Sequence, residues 1–240
     1  DNAAEKDGYD HFMLKEIHEQ PKAVRDTLAG RILENEAVNF DDLKYDDIKD
    51  IEKIYIVACG TAYHAGLVGK TAIERLAKIP VEVDIASEFR YSEPIINEKT
   101  LLLVISQSGE TADSLAALRL SKQKGAKTLA IVNVIGSSIA READNVTYTM
   151  AGPEIAVAST KAYSVQTALL YLLCVEAAIV RGKIESDAAR VIIHELYERA
   201  PEAIAEIIAR EDEIKDAAKA IAACEDLFFI GRGVDYYLSC

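Results

Sequence analysis

Three short stretches carry the side chains that could do chemistry. SQSGET (Ser106 to Thr111) sets three hydroxyls, an amide and a glycine directly after the apolar run LLLVI. The next segment, ADSLAALRLSKQKG, has apolar residues at helical spacing. CGTAYHAG (Cys59 to Gly66) follows a second apolar run, and EIAVASTKAYS (Glu154 to Ser164) leads into a long apolar helix. A helix start leaves several backbone N–H groups unpaired and partially positive. A strand-to-helix junction rich in hydroxyls therefore suits a phosphate without any Lys or Arg. Ser106, Ser108 and Thr111 would add hydroxyl donors, Gln107 an amide donor, and Gly109 would let the backbone come close. The competing reading is local capping, with Ser108 as an N-cap and Glu110 in the first helical turn. The third stretch has the same two readings: Ser159 or Thr160 caps the helix, or Ser159 turns its hydroxyl toward a ligand. Lys161 could form a Schiff base with pyridoxal phosphate, but a solvated or ion-paired lysine is the preferred reading.

Other chemistries fail on spacing or charge. No GxGxxG follows the first strand, because Gly60 and Gly66 are six apart, and no GxxxxGK[ST] occurs, so a nucleotide is disfavoured. The absence of GxSxG removes a hydrolase nucleophile elbow. Cys59, Cys174, Cys224 and Cys240 form no CxxC pair and no His stands at ligand spacing, which argues against zinc and suits a reducing cytoplasm. His64 sits just after the CGTA turn, near any ligand there. His11, His18 and His194 fall on helices, and no Ser/His/Asp or Cys/His trio can be argued. We therefore assign no catalytic residue, metal or cofactor. A net charge of −13 over 240 residues disfavours nucleic acid and anionic membranes as partners. The run Ala162 to Val180 approaches spanning length, yet Ser164, Gln166, Thr167 and Glu176 make it a buried or subunit-interface helix.

The elements that must position these turns are legible as alternating runs. A helix is predicted from His11 to Ile32, bent or restarted at Pro21 and ending near Gly30. Strands are predicted at Lys53–Ala58, Val81–Ala86, Thr100–Ile105, Lys127–Asn133 and Asn145–Met150, with helices at Tyr63–Leu76, Ala112–Lys124 and Ser137–Glu142 between them. Strands this apolar, alternating with helices, imply a doubly wound α/β domain with a mostly parallel five-stranded sheet. Ligands bind such sheets beyond the carboxyl ends of the strands, where the strand order reverses. A C-terminal helical extension follows: Thr160–Arg181, Ser186–Arg210 broken at Pro201, and Glu211–Ala223. Finally, FIGRGVDYYLS (Phe229 to Ser239) aligns with IVACGTAYHAG (Ile56 to Gly66), placing Gly233 on Gly60 and Tyr236 on Tyr63. The expected organisation is a linker at 1–10, a first domain at 11–182, a helical connection at 183–223, and the truncated start of a related second domain at 224–240.

CGTAYHAG, ASEFRY, SQSGETADSLAALRLSKQKG, NVIGSSIAREAD and EIAVASTKAYSVQ together resemble the sugar isomerase (SIS) family from Tyr9 to Cys240. The resemblance implies a flavodoxin-like SIS fold. It also implies a three-part enzyme: a glutaminase domain that releases ammonia, then two isomerase domains that bind fructose 6-phosphate and make glucosamine 6-phosphate. Residues matching Ser106, Gln107, Ser108 and Thr111 would hold the phosphate. Those matching Thr61, Val157 and Ser159 would line the sugar, with Gly60 allowing close approach. Ala62 stands where the family usually has Ser, removing one hydroxyl contact worth about 0.5–1.5 kcal/mol. The family's proton-transfer Glu, ring-opening His and imine-forming Lys all belong beyond Cys240, so these residues are expected to bind without turnover. A cytoplasmic homodimer is implied as well. A non-catalytic sugar-phosphate sensor of the same fold is the alternative, and a standalone isomerase would need catalytic residues within these 240.

Overall fold

The computed structural model describes residues 5–32, 38–39 and 48–240. Its centre is set by two strands, β1 (Lys53–Ala58) and β3 (Thr100–Ser106), which are buried along almost their whole length. Only strands covered on both faces can be so apolar. β2 (Val81–Ile85) and β5 (Asn145–Tyr148) are partly exposed and lie at the edges, while β4 (Lys127–Val132) is interior. The order is β2-β1-β3-β4-β5 and every pairing is parallel. All five predicted strands are present, each within two residues of its expected end.

Alternation along the strands divides the core in two. Ile54, Ile56, Leu101, Leu103 and Ile105 face one layer; Tyr55, Val57, Leu102 and Val104 face the other. Each fully buried aliphatic side chain contributes about 1.5–3 kcal/mol relative to exposure. The first layer contains α1 (Phe12–Ala29), α2 (Thr61–Leu76) and α6 (Lys161–Val180). The second contains α3 (Ala86–Phe89), α4 (Ala112–Gln123) and α5 (Ser138–Glu142). By length and composition α6 could cross a membrane, but 67% of its apolar window is buried within the fold, against α1 and α2. It is the buried helix that its polar residues predicted.

Pro21, expected to bend or restart its helix, and Pro201, expected to break one, both lie within continuous helical runs. Pro21 neither breaks nor restarts α1, which runs unbroken to a Gly30 cap. A proline there removes the bond to the carbonyl of Ile17. The Gln20 side-chain amide donates to that carbonyl instead, at 3.2 Å. Pro201 does not break its helix either. After α7 (Ser186–His194) the chain widens into one π-helical turn, Glu195–Arg199, and resumes as α8 (Ala200–Ile208) with Pro201 in its first turn. At that position the missing N–H costs little.

α9 (Glu211–Ile221) and the short α10 (Val234–Ser239) complete the chain. Leu227 to Ile230, expected to begin a strand, join no sheet and lie exposed, because a strand without neighbours has nothing to bond. The turn after them nevertheless repeats the turn after β1. Gly233 adopts φ 65°, ψ −127° and Gly60 φ 57°, ψ −137°, and each carbonyl accepts the amide three residues on, from Tyr236 and Tyr63. Upstream, residues 5–10 of the expected linker are tied down: Lys15 Nζ meets Asp7 at 2.6 Å and donates to the Glu5 carbonyl. Residues 1–4 lie outside the described residues.

Candidate functional site

With this strand order, the chain reverses direction across the sheet between β1 and β3. The turns that leave those two strands are CGTA and SQSGET. They face the loop from β5 to α6 across a cavity of about 300 Å³. Seven of the eight residues singled out from sequence line it: Thr61, Ser106, Gln107, Ser108, Thr111, Val157 and Ser159. The eighth, Gly60, supplies the positive-φ turn that launches α2 at Thr61. His64 lines a neighbouring hollow that shares Thr61 and Ser159 with this cavity.

The β3–α4 turn is wired so that protons remain for a ligand. Ser106 Oγ accepts the Gly109 amide at 3.1 Å and shares a proton with Thr111 Oγ1 at 3.3 Å. Whichever of the two donates, the other keeps a free hydroxyl proton. Ser108 Oγ accepts the Glu110 amide at 3.2 Å, so its own proton is uncommitted. The N-cap of α4 is Thr111, not Ser108, and its side chain makes no capping bond. The first-turn amides of α4 at Ala112, Asp113 and Ser114 therefore point past the helix start without intrahelical acceptors.

This turn is braced from outside the cavity. The Ile139 amide donates to the Gly109 carbonyl at 3.0 Å and the Ser138 amide to Glu110 Oε1 at 2.7 Å. Those bonds from Ser138 hold the Glu110 carboxyl below the usual carboxylate range. Among the described residues that line the cavity there is no Lys, Arg or His. The positive end of the site is thus built from backbone dipoles and hydroxyls.

The third loop departs from expectation. Neither Ser159 nor Thr160 caps α6 with its hydroxyl. Glu154 does so instead: its Oε1 accepts the amides of Thr160 (2.9 Å) and Ala162 (3.2 Å), while Oε2 accepts the Ser159 hydroxyl at 3.0 Å. A carboxylate at a helix start answers both the orphan amides and the dipole, and outcompetes a neutral hydroxyl. Glu154 faces the cavity, as do Cys59 and the buried Gln166, and none of these was selected from sequence. Gln166 was detectable as a polar residue inside an apolar helix; Glu154 carried no local signal.

Lys161 is 2% exposed and pairs with Glu19 at 2.6 Å. It is ion-paired rather than solvated, and the lining of the cavity does not include it. A second cavity, of about 370 Å³, lies under α1, but its three lysines Lys15, Lys22 and Lys161 each face a carboxylate, of Asp7, Asp26 and Glu19.

The aminotransferase (isomerizing) named for glutamine and fructose 6-phosphate from Caldanaerobacter subterraneus subsp. tengcongensis is 54% identical over 236 residues. The protein of the same name from Methanosarcina mazei is 49% identical over 237. Each match takes in 98% of this chain, which spans only 39% and 38% of those proteins' lengths. Among solved structures, the C-terminal domain of glucosamine-fructose-6-phosphate aminotransferase from Francisella tularensis superposes with a TM-score of 0.94 at 37% identity. It covers 98% of this chain and 66% of that one. The SIS domain model matches residues 47–176, which span all five strands and every turn of the cavity. Fold and sequence agree: the chain belongs to the SIS domain family.

Proposed function

We propose that this chain is the sugar-phosphate-binding isomerase portion of a glutamine:fructose-6-phosphate aminotransferase. The parent enzyme would convert fructose 6-phosphate and glutamine to glucosamine 6-phosphate and glutamate. Residues 11–182 form the first isomerase domain, 183–223 the connection, and 224–240 the opening of a second, with a glutaminase domain upstream. The carrying observation is the cation-free turn Ser106–Thr111, whose hydroxyls, with protons left free, line the cavity at the start of α4. A phosphate monoester is a strong acceptor on several sides and matches such a donor set. Thr61, Val157 and Ser159 line the same cavity, which supports the reading that they meet the sugar.

Carbon-to-carbon proton transfer needs a poised base. Among the described residues that line the cavity, the one carboxylate is that of Glu154, and it is spent on capping. These residues therefore bind without turning over. The repeated glycine turn at Gly233 and the exposed Phe228 to Ile230 support a following related domain that would cover them. A cytoplasmic homodimer is part of the same reading.

The test is calorimetric titration with fructose 6-phosphate. Binding should be seen, inorganic phosphate should compete, and Ser108→Ala should weaken both by about 10- to 100-fold, the worth of one hydrogen bond to a charged group. Undiminished binding by Ser108→Ala together with Thr111→Val would refute the assignment of the phosphate.

A further inference from the structure

One face of α1 carries polar side chains, and each of them bonds to the segment leading from β5 into α6. Thr27 Oγ1 accepts the Met150 amide at 3.0 Å, and Glu16 Oε1 accepts those of Ile155 (2.6 Å) and Ala156 (3.1 Å). Glu19 pairs with Lys161, and the Ser164 hydroxyl donates to Gln20 Oε1 at 2.6 Å. Glu19, Gln20 and Thr27 follow Glu16 at helical spacing, so the four share one side of the helix.

Glu16 stands apart within this row. It is 3% exposed, and its Oε2 is buried without a partner. A buried carboxylate is costly unless its charge is used. Here it serves the two consecutive amides just before Val157, in a loop with no helix or strand of its own. The far side of the same loop is held by Glu154. Of the two clamps, only Glu16 comes from a distant element.

We infer that Glu16 is a positioning residue: by holding the Ile155 and Ala156 amides it sets Ala156 to Ser159 against the sugar end of the ligand, without touching the ligand. This rests on reading the cavity as a sugar-phosphate site. The phosphate end is braced separately, through Ser138 and Ile139, with no bond to α1. Loss of Glu16 should therefore weaken a sugar phosphate and spare free phosphate. A residue of merely structural importance would change neither affinity in the folded protein.

The experiment compares the wild type with Glu16→Ala and Glu16→Gln, using fructose 6-phosphate and inorganic phosphate as probes at a temperature where circular dichroism shows each protein folded. Glu16→Ala should bind fructose 6-phosphate about tenfold more weakly, with phosphate affinity unchanged. Glu16→Gln keeps an acceptor oxygen of the same reach and should restore most of the loss. Equal loss for both probes, or a lowered melting temperature with both affinities intact, would overturn the inference. Should Glu16→Ala not fold, amide exchange on the wild type decides: fructose 6-phosphate must slow exchange at Ile155 and Ala156 more than phosphate does, and equal effects overturn the inference. A wild type that binds phosphate but not fructose 6-phosphate removes the underlying reading, and this one with it.

Discussion

Replacing Gly109 with alanine should damage both the fold and the site, by an amount that the geometry sets. Gly109 has φ +65°, a conformation that costs an L-residue about 1–2 kcal/mol. The added Cβ would also lie 2.1 Å from Ser137 Oγ and 2.6 Å from Ser137 Cβ. Ser137 is buried and belongs to the neighbouring turn. That turn is tied to this one by the Ile139-to-Gly109 and Ser138-to-Glu110 bonds, so neither can retreat freely. Overpacking of this kind costs about 1–3 kcal/mol more. The total for Gly109→Ala is therefore about 2–5 kcal/mol, read as a lower urea midpoint at unchanged slope. Adding Ser137→Gly removes both of those atoms, and the next neighbour of the new methyl, Val132 Cγ1 at 3.4 Å, is at ordinary contact distance. The double variant should recover the overpacking part, about 1–3 kcal/mol, in a cycle corrected for Ser137→Gly alone. Phosphate affinity should fall and recover in parallel. A Gly109→Ala protein within about 0.5 kcal/mol of wild type, or a coupling of zero, would refute the reasoning.

Two further outcomes follow from titratable groups. Burial pushes the Asp144 carboxyl up, but Lys122 at 2.7 Å and the hydroxyl and amide of Thr128 outweigh it and hold it below the usual range. A depressed carboxyl stabilises above its unfolded pKa, so this contribution should be lost as pH falls below about 4, and Asp144→Asn should flatten that part of a denaturation-versus-pH profile. An unchanged profile for Asp144→Asn would contradict this. Burial pushes the Cys174 thiol up to about 12, whereas Cys224 and Cys240 are exposed. An aromatic disulfide reagent at pH 8 should label Cys224 and Cys240 in the native protein and Cys174 only in denaturant; labelling of Cys174 at the rate of Cys240 would count against the buried placement.

Much of the α/β domain was legible in the chain because burial on both faces writes itself into local composition. LLLVI and KIYIVA could hardly be anything other than central parallel strands, and the hydroxyl-rich turns that follow them were visible for the same reason. Local rules went wrong where a distant or substitute partner intervened. Pro21 was read as a bend or a restart, yet α1 runs on through it and the Gln20 side chain replaces the missing bond. Pro201 was read as a break, yet one π-helical turn absorbs it. Ser159 and Thr160 were read as caps, yet the Glu154 carboxylate reaches back from six residues upstream to do that work.

By itself the sequence determined the element types, the parallel class of the sheet and the donor-rich turn after β3, since each depends on side chains close together along the chain. The tertiary structure decided the strand order that brings the β1 and β3 turns together. It also decided the inward aim of Glu154 and Gln166 and the clamp of Glu16 on a loop far along the chain. Such pairings depend on where packed layers place their faces, and nothing in the spacing of a single segment records where another segment will lie.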